Sequence, residues 1–389
     1  MSIDVSTFDH HAPGWMLDPW ATYAELRERC PVAHSDAHGG FWLVTRHDDV
    51  SAVARDWASY SSASGIALPD PEIGRRVIPQ EADPPLHTDA RDQVAPWFSP
   101  SKVLAMEPLV RGLAVDLYDA AIARGEFDLA IDVAIPLSAL TMLRLLGFRE
   151  ALEPILQADI QTLLRSRHDH DAVAAAAQRL GATVSGEVSA RREAGVGEGR
   201  DLLDLILQMT IGGEPIQDEE AGSIGMSLVF AGLETSATAI SSAAYVLASE
   251  PALRERLLRD PPLLIAAIEE LLRVASPVEC IARTTTAPTE LRGVQMAAGD
   301  RVVISYGSAN HDPAVFDEPD RVVLDRRHNH HLAFGAGIHR CIGRHLARLE
   351  MRVGIGELLA RAPHYRLVGE PLWGFGENRG IRSLPVAVR

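Results

Sequence analysis

A mainly α-helical fold carrying a few small β-sheets is what this chain predicts, and three observations predict it. Apolar residues recur at three- and four-residue spacing through 102–123, 149–165, 172–193 and, longest of all, 218–250. Segments with strand character are short and scattered, at 40–45, 290–296, 301–305 and 381–388, which suits small sheets set beside a helical mass. The residues that carry chemistry run from His87 to Cys341, so the 389 residues read as one domain, 1–389, rather than the two or three that length alone suggests.

The elements follow in order. After Pro84 and Pro85, which suit a helix start, His87 and Arg91 stand four apart and share one helix face. The stretches 149–165 and 172–193 are separated by Ser-Arg-His-Asp-His-Asp, where His168 and His170 read as solvated. Gly195 to Arg200 has no complete phosphate-loop glycine spacing and follows a helix, so it reads as a connector. The 218–250 run opens on Asp218, Glu219 and Glu220, where acids favour a helix N-terminus, and stops at Pro251. At about 1.5 Å per residue it crosses roughly 50 Å. Glu270 and Arg273, three apart, face the same side of a further helix, and a last apolar helical run begins near Ile342.

Composition excludes several classes. Asp and Glu number 53 against 37 Lys and Arg, a net charge of -16, which repels nucleic acid. The first twenty residues have neither a basic start nor an apolar run, so a cytoplasmic protein with no membrane partner is expected. Cys30, Cys280 and Cys341 are an odd number without metal-ligand spacing; neither disulfides nor a zinc or iron–sulfur site is indicated, and Cys30 and Cys280 read as packing residues. The histidine-rich 326–331 stretch is a loop without rigidly held ligands, a weak metal candidate.

The sequence FGAGIHRCIG at 334–343 is the most informative feature. A lone cysteine beside a glycine turn is ordinarily an inert packing residue. Here Gly335 and Gly337 permit a tight turn, Phe334 can cover the sulfur, Gly343 allows a close approach, and a following helix N-terminus can favour an anionic sulfur. The run is similar, at every fixed position of F-G-x-G-x-H-x-C-x-G, to the cysteine loop of the cytochromes P450, soluble bacterial members included. That resemblance implies haem b ligated by the Cys341 thiolate, O2 as co-substrate, and the family fold with haem between the long central helix and the cysteine loop.

On the same resemblance, Ala231-Gly232-Leu233-Glu234-Thr235 matches the family's oxygen-activation sequence. Gly232 would leave space, the Thr235 hydroxyl would supply a hydrogen bond, and Glu234, about 100° round the helix, would face solvent and relay protons. His87, Arg91, Arg283 and His339 resemble the ligands of the haem propionates, and Glu270, Arg273 and Arg321 a buried structural ion network. Analogy puts Ile66, Leu68, Leu163, Leu164, Phe230, Val278, Ile281, Trp373 and Phe375 around a small hydrophobic substrate. Resemblance to members that oxidise small aromatics, including aryl methyl ethers, points to hydroxylation or O-demethylation. Electrons would come from a separate iron–sulfur ferredoxin and its NAD(P)H-dependent reductase, docking near Arg340, Arg344 and Arg348 of a monomer. A peroxide-driven oxygenase and a non-catalytic haem sensor or carrier are the alternatives.

Overall fold

In the computed structural model residues 4–70, 76–165, 170–197 and 199–388 are described, with the backbone alone for 164, 165 and 170. The sequence stripes close around the helix Asp218–Ser249. Its start is fixed by a capping box in which the Gln217 N–H donates to Glu220 Oε2 at 2.9 Å, and it stops one residue before Pro251. Ile224, Val229, Leu233, Ile240 and Leu247 are fully buried, so this helix is apolar on every side because it is covered on every side. It is long and apolar enough to cross a membrane, but 78% of its apolar window is buried inside the protein, the signature of a core helix.

Neighbouring helices Ile135–Leu146, His170–Ala194, Leu264–Ala275 and Arg344–Arg361 pack on it. Small residues set the approach: a Cβ on Gly354 would lie 3.1 Å from Ile240 Cδ1, and the Gly354 carbonyl accepts from the Tyr118 hydroxyl at 2.9 Å. The 102–123 stripe is two helices, Pro100–Ala105 and Glu107–Ile122, because Pro108 suits a first turn and not an interior. The 149–165 stripe begins its helix at Glu153, again beside a proline, and the 172–193 stripe lies within His170–Ala194. His168 lies outside the described residues.

Five short strands form one mixed sheet in the order Val32–Ser35, Phe41–Val44, Arg301–Ser305, Cys280–Thr285, Tyr60–Ser61. Only the second and third run parallel, with Val302 opposite Trp42. The expected strand at 290–296 is a hairpin, Thr289–Leu291 with Val294–Met296, closed by Arg292 and Gly293 at φ 51° and 80°. The tail is two strands: Gly380–Ser383 pairs with Leu372–Gly374, and Pro385–Ala387 joins Arg366–Leu367 and Glu126–Asp128.

The ion network differs from expectation at one member. Glu270 and Arg273 are fully buried and bonded twice at 2.9 Å. Arg321, by contrast, is 69% exposed and pairs with Glu318 outside; only its carbonyl reaches the network, accepting from Arg273 at 3.1 Å. Arg326 takes the expected place, its Nε donating to Glu270 Oε2 at 2.9 Å from a side chain 9% exposed. Burial by itself would raise the Glu270 carboxyl, but the guanidinium hydrogen bonds of Arg273 and Arg326 hold it below the usual range.

Candidate functional site

The cysteine loop is built by backbone hydrogen bonds. Cys341 N–H donates to the Phe334 carbonyl at 2.8 Å and Gly335 N–H to Leu332 at 2.8 Å, so the segment between them closes on itself. Gly335 and Gly337 take φ of 66° and 70°, and a Cβ on Gly337 would overlap the Ala54 carbonyl, so this turn admits only glycine there. The following helix begins at Arg344 with Gly343 as N-cap, two residues later than Ile342. Phe334 is buried, with the Arg348 guanidinium 4.4 Å above its ring.

Opposite the loop, across a cavity of about 340 Å3, the long helix presents Ala231, Gly232 and Thr235. The Ser138 hydroxyl donates to the Gly232 carbonyl at 2.6 Å, and a Cβ on Gly232 would collide with the Met142 side chain. Thr235 Oγ1 donates to the Ala231 carbonyl at 2.8 Å, leaving its lone pairs on the cavity side of the helix.

Glu234 does not face solvent. It is 1% exposed, ion-paired with Arg382 and 3.3 Å from the Asn378 amide, which donates to its Oε2. The 100° step from Thr235 turns it away from the cavity as expected, but the Gly380–Ser383 strand covers that side of the helix. Arg382 also approaches Thr238 Oγ1 at 3.3 Å.

Arg91, Arg283, His339 and Cys341 all line the cavity, with His87 beside His339 at 4.5 Å between ring centroids. Period-2 alternation explains Arg283: Ile281 and Arg283 face the cavity, while Cys280 and Ala282 enter the N-terminal core. Among the described residues neither Arg91 nor Arg283 has a carboxylate partner; Arg283 donates only to the Ala282 carbonyl at 2.9 Å, and Arg91 to that of Arg340. Among the described residues the buried His87 ring and Nε2 of His339 have no side-chain hydrogen-bond partner, and His87 has only the Ile338 backbone nearby. Burial, reinforced by Arg283, His87 and Arg91, drives the His339 imidazole down to about 2. Buried Arg283 and His87 with half-buried Arg91 and His339, neither guanidinium ion-paired to a carboxylate among the described residues, fit an anionic molecule bearing carboxylates.

Burial pushes the Cys341 thiol up, against the Gly343 N–H and the charges of Arg91, Arg344 and Arg348, which pull it down. Such a thiol is deprotonated by a metal rather than by its surroundings. Arg348 is already engaged, bonded twice to Glu269 at 2.6 and 2.7 Å, so the expected three-arginine patch reduces to Arg340 and Arg344. Burial alone would raise the Glu269 carboxyl, yet Arg348 and His331 bring it down to about 2.

Of the expected lining residues, Ile66, Leu163, Phe230, Val278 and Ile281 border the cavity. The Leu164 side chain lies outside the described residues. Leu68 is buried in the N-terminal core instead, with Phe375 packed against it, and Trp373 sits against Tyr245 and under Arg379. The turn after Phe375 supplies Glu377 and Asn378 to the cavity in their place.

Sequence reasoning missed Glu350, 2% exposed at the cavity wall, whose carboxyl burial raises to about 8 with the Ser236 hydroxyl beside it. Its signal was an acid in register with Leu346 and Val353 on the buried stripe of the last helix. In the histidine-rich loop His328 and His330 stack with ring centroids 6.4 Å apart, and His331 Nε2 lies 3.2 Å from Glu269 Oε2.

Comparison with known proteins decides the family. The Cytochrome P450 family profile matches residues 150–362. A probable cytochrome P450 127A1 of Sinorhizobium fredii is 35% identical over 84% of this chain and 78% of its own length. This chain belongs to the cytochromes P450. Cytochrome P450 130 of Mycobacterium tuberculosis is 31% identical over 96% of this chain and 95% of its own. The Mycobacterium marinum cytochrome P450 CYP268A2, solved in complex with pseudoionone, superimposes with a TM-score of 0.90 at 28% identity, covering 99% of each chain. A P450 is a haem-dependent monooxygenase with a cysteine thiolate on the iron and O2 as co-substrate, and bacterial P450s generally draw electrons from ferredoxin and reductase partners.

Proposed function

We propose that the cavity between Cys341 and the Gly232–Thr235 turn holds haem b, with Cys341 as thiolate ligand, and that this P450 inserts one oxygen atom of O2 into a C–H bond of a small hydrophobic substrate. The observation that carries the reading is the group Arg91, Arg283, His87 and His339, which lines the same cavity as Cys341, with neither arginine paired to a carboxylate among the described residues and with imidazole nitrogens left without partners. Haem supplies the redox chemistry of oxygen activation, its propionates matching the unpaired donors. The protein supplies the rest. The loop N–H groups and Phe334 would orient and shelter Cys341, and Gly232 lets Met142 pack against the long helix at the cavity wall.

Protons are the task of the long helix. The Thr235 hydroxyl, whose proton rests on the Ala231 carbonyl, would accept from or turn to donate to a group in the cavity, and Glu234 would resupply the proton. Because Glu234 is locked to Arg382 and Asn378, delivery requires its carboxylate to rotate off Arg382, and the ion pair becomes the gate. An acid and hydroxyl so placed favour O2 over peroxide, which brings its own protons, and over a haem carrier, which needs neither. Electrons come from a ferredoxin docking over Arg340 and Arg344; the whole chain acts as one domain and a monomer.

Substrate walls formed by Ile66, Leu163, Met226, Phe230, Val278 and Ile281 are apolar and suit a neutral ligand. Hydroxylation, or O-demethylation where the C–H bond belongs to a methoxy group, is the outcome for an aryl ether; the pseudoionone complex of the Mycobacterium marinum neighbour argues for keeping terpenoids in the same class. The test is an optical titration of the ferric protein with methoxyarenes, benzoates and monoterpenes, following the spin-state shift as substrate displaces water from the iron. A saturable shift with a neutral class is expected. A shift with benzoates alone would refute the neutral apolar pocket, and loss of the thiolate signature of the ferrous–CO complex in wild type would refute the ligand assignment.

A further inference from the structure

The N-terminal segment carries a histidine cluster that the haem chemistry does not use. His10 and His11 precede the first helix, and His38 lies in the turn Ala37–Gly39 between the first two strands. Their ring centroids are 4.3, 5.8 and 5.6 Å apart, and one ligand nitrogen from each lies within 4.8 Å of the others. His10 is 1% exposed, yet its Nδ1 has no hydrogen-bond partner. A buried imidazole nitrogen without a partner calls for a ligand.

Two carboxylates complete the surroundings. Glu377 Oε1 is 3.7 Å from His10 Nε2 and 3.8 Å from His11 Nε2, and Asp9 Oδ1 is 2.9 Å from His38 Nε2. The backbone holds the three elements together: Gly376 N–H donates to the His10 carbonyl at 2.9 Å, and Leu68 N–H to Glu377 Oε1 at 2.8 Å. Gly376 also makes room for the His11 ring, which a Cβ there would meet at 2.7 Å.

We propose that His10, His11 and His38, with Glu377 or Asp9 as a carboxylate partner, bind one divalent transition cation, Zn2+ being the natural occupant. Three imidazoles select a borderline metal over Mg2+ or Ca2+, which prefer all-oxygen shells. Nitrogens within 4.8 Å need to close to roughly 3.4 Å, the edge of a tetrahedron with bonds of about 2.1 Å, a change within reach of side-chain rotation. The cation and the two carboxylates balance in charge, and a carboxylate left outside the coordination shell would orient an imidazole. The site bolts the N-terminal segment to the turn bearing Glu377 and Asn378, and to the loop in which Leu68 follows cavity-lining Ile66 and Ala67. It rests on none of the haem-ligand assignments; Glu377 alone is shared with the cavity wall.

The test is equilibrium dialysis of chelator-treated holoprotein against Zn2+ alone, with the zinc-to-iron ratio read by elemental analysis. One Zn2+ per iron is expected, with a rise in thermal midpoint on binding. His38→Asn, which keeps a residue tolerant of the φ of 54° found there, and His11→Gln should each weaken binding at least about tenfold and abolish the thermal shift. Their ferrous–CO spectra report whether they remain folded. The double variant His328→Ala/His330→Ala should bind as wild type does. Failure to reach one equivalent in wild type, undiminished binding by His38→Asn and His11→Gln, or loss in the His328/His330 variant would each overturn the proposal.

Discussion

Replacing Glu270 by alanine removes the anion on which the buried network converges. The carboxylate accepts from Arg273 Nε and Nη2, Arg326 Nε and the Val323 N–H, each at 2.9 Å, and from Asn329 at 3.2 Å. Its loss strands one guanidinium at 0% exposure and a second at 9%. Breaking a buried pair from one side costs about 3–5 kcal/mol, and because both cations share the carboxylate the two losses do not add. That is a large part of a typical folding stability of about 5–15 kcal/mol. Arg326→Ala leaves Glu270 with Arg273 but loses the charge-assisted bond to Glu270, about 1.5–3 kcal/mol, together with the guanidinium bonds to the Asp317, Glu318 and Arg321 carbonyls. Arg321→Ala removes only an exposed pair with Glu318, at most about 1 kcal/mol. Denaturant unfolding of the three holoproteins, with the yield of thiolate-ligated ferrous–CO complex, gives the order Glu270, Arg326, Arg321. If Arg321→Ala cost as much as Arg326→Ala, the assignment of Arg326 to the network would be refuted.

Further outcomes follow from the cavity. Thr235→Ala should leave haem and substrate binding intact and divert reducing equivalents to peroxide; tight coupling of NAD(P)H use to product in that variant would sink the proton-delivery role. Glu350 is raised from 4.5 to about 8, so its stabilising contribution is complete below about 4.5 and is lost as pH rises through 8. At about 1.4 kcal/mol per pH unit the loss approaches roughly 5 kcal/mol as an upper bound, and Glu350→Gln should flatten the stability profile between those limits; an unchanged slope would show the carboxyl is not buried neutral. Gly337→Ala puts a Cβ at φ 70° against the Ala54 carbonyl and 2.8 Å from Arg55 Cα, so it should cost more than about 2 kcal/mol and lower the yield of thiolate-ligated holoprotein. A normal ferrous–CO spectrum at wild-type yield would contradict that.

The helical mass, the long central helix and the cysteine loop were legible because each is written in local pattern. Apolar periodicity gives the stripes, acids and Pro251 bound the long helix, and two glycines sit where only positive φ closes the loop. The strand Arg301–Ser305 was legible for the same reason, being a short apolar run. Arg91, Arg283, His339 and Cys341, scattered over 251 residues of sequence, line one cavity.

What the sequence could not fix is which of two near-equivalent residues a distant element reaches. Arg321 and Arg326 are both arginines before the cysteine loop, and only the path of the chain turns one outward and brings the other onto Glu270. Glu234 was placed correctly on the helix by its 100° step, but whether that face meets water depends on the strand bearing Arg382, 148 residues later, lying across it. The same holds for Glu377 and Asn378 displacing Trp373 and Phe375 at the cavity, and for His10, His11 and His38, which meet through turns that local periodicity does not encode. Local energetics determine which elements form and where they end. The pairing of buried charges is decided by the long-range packing that removes them from water, and that is a property of the assembled fold.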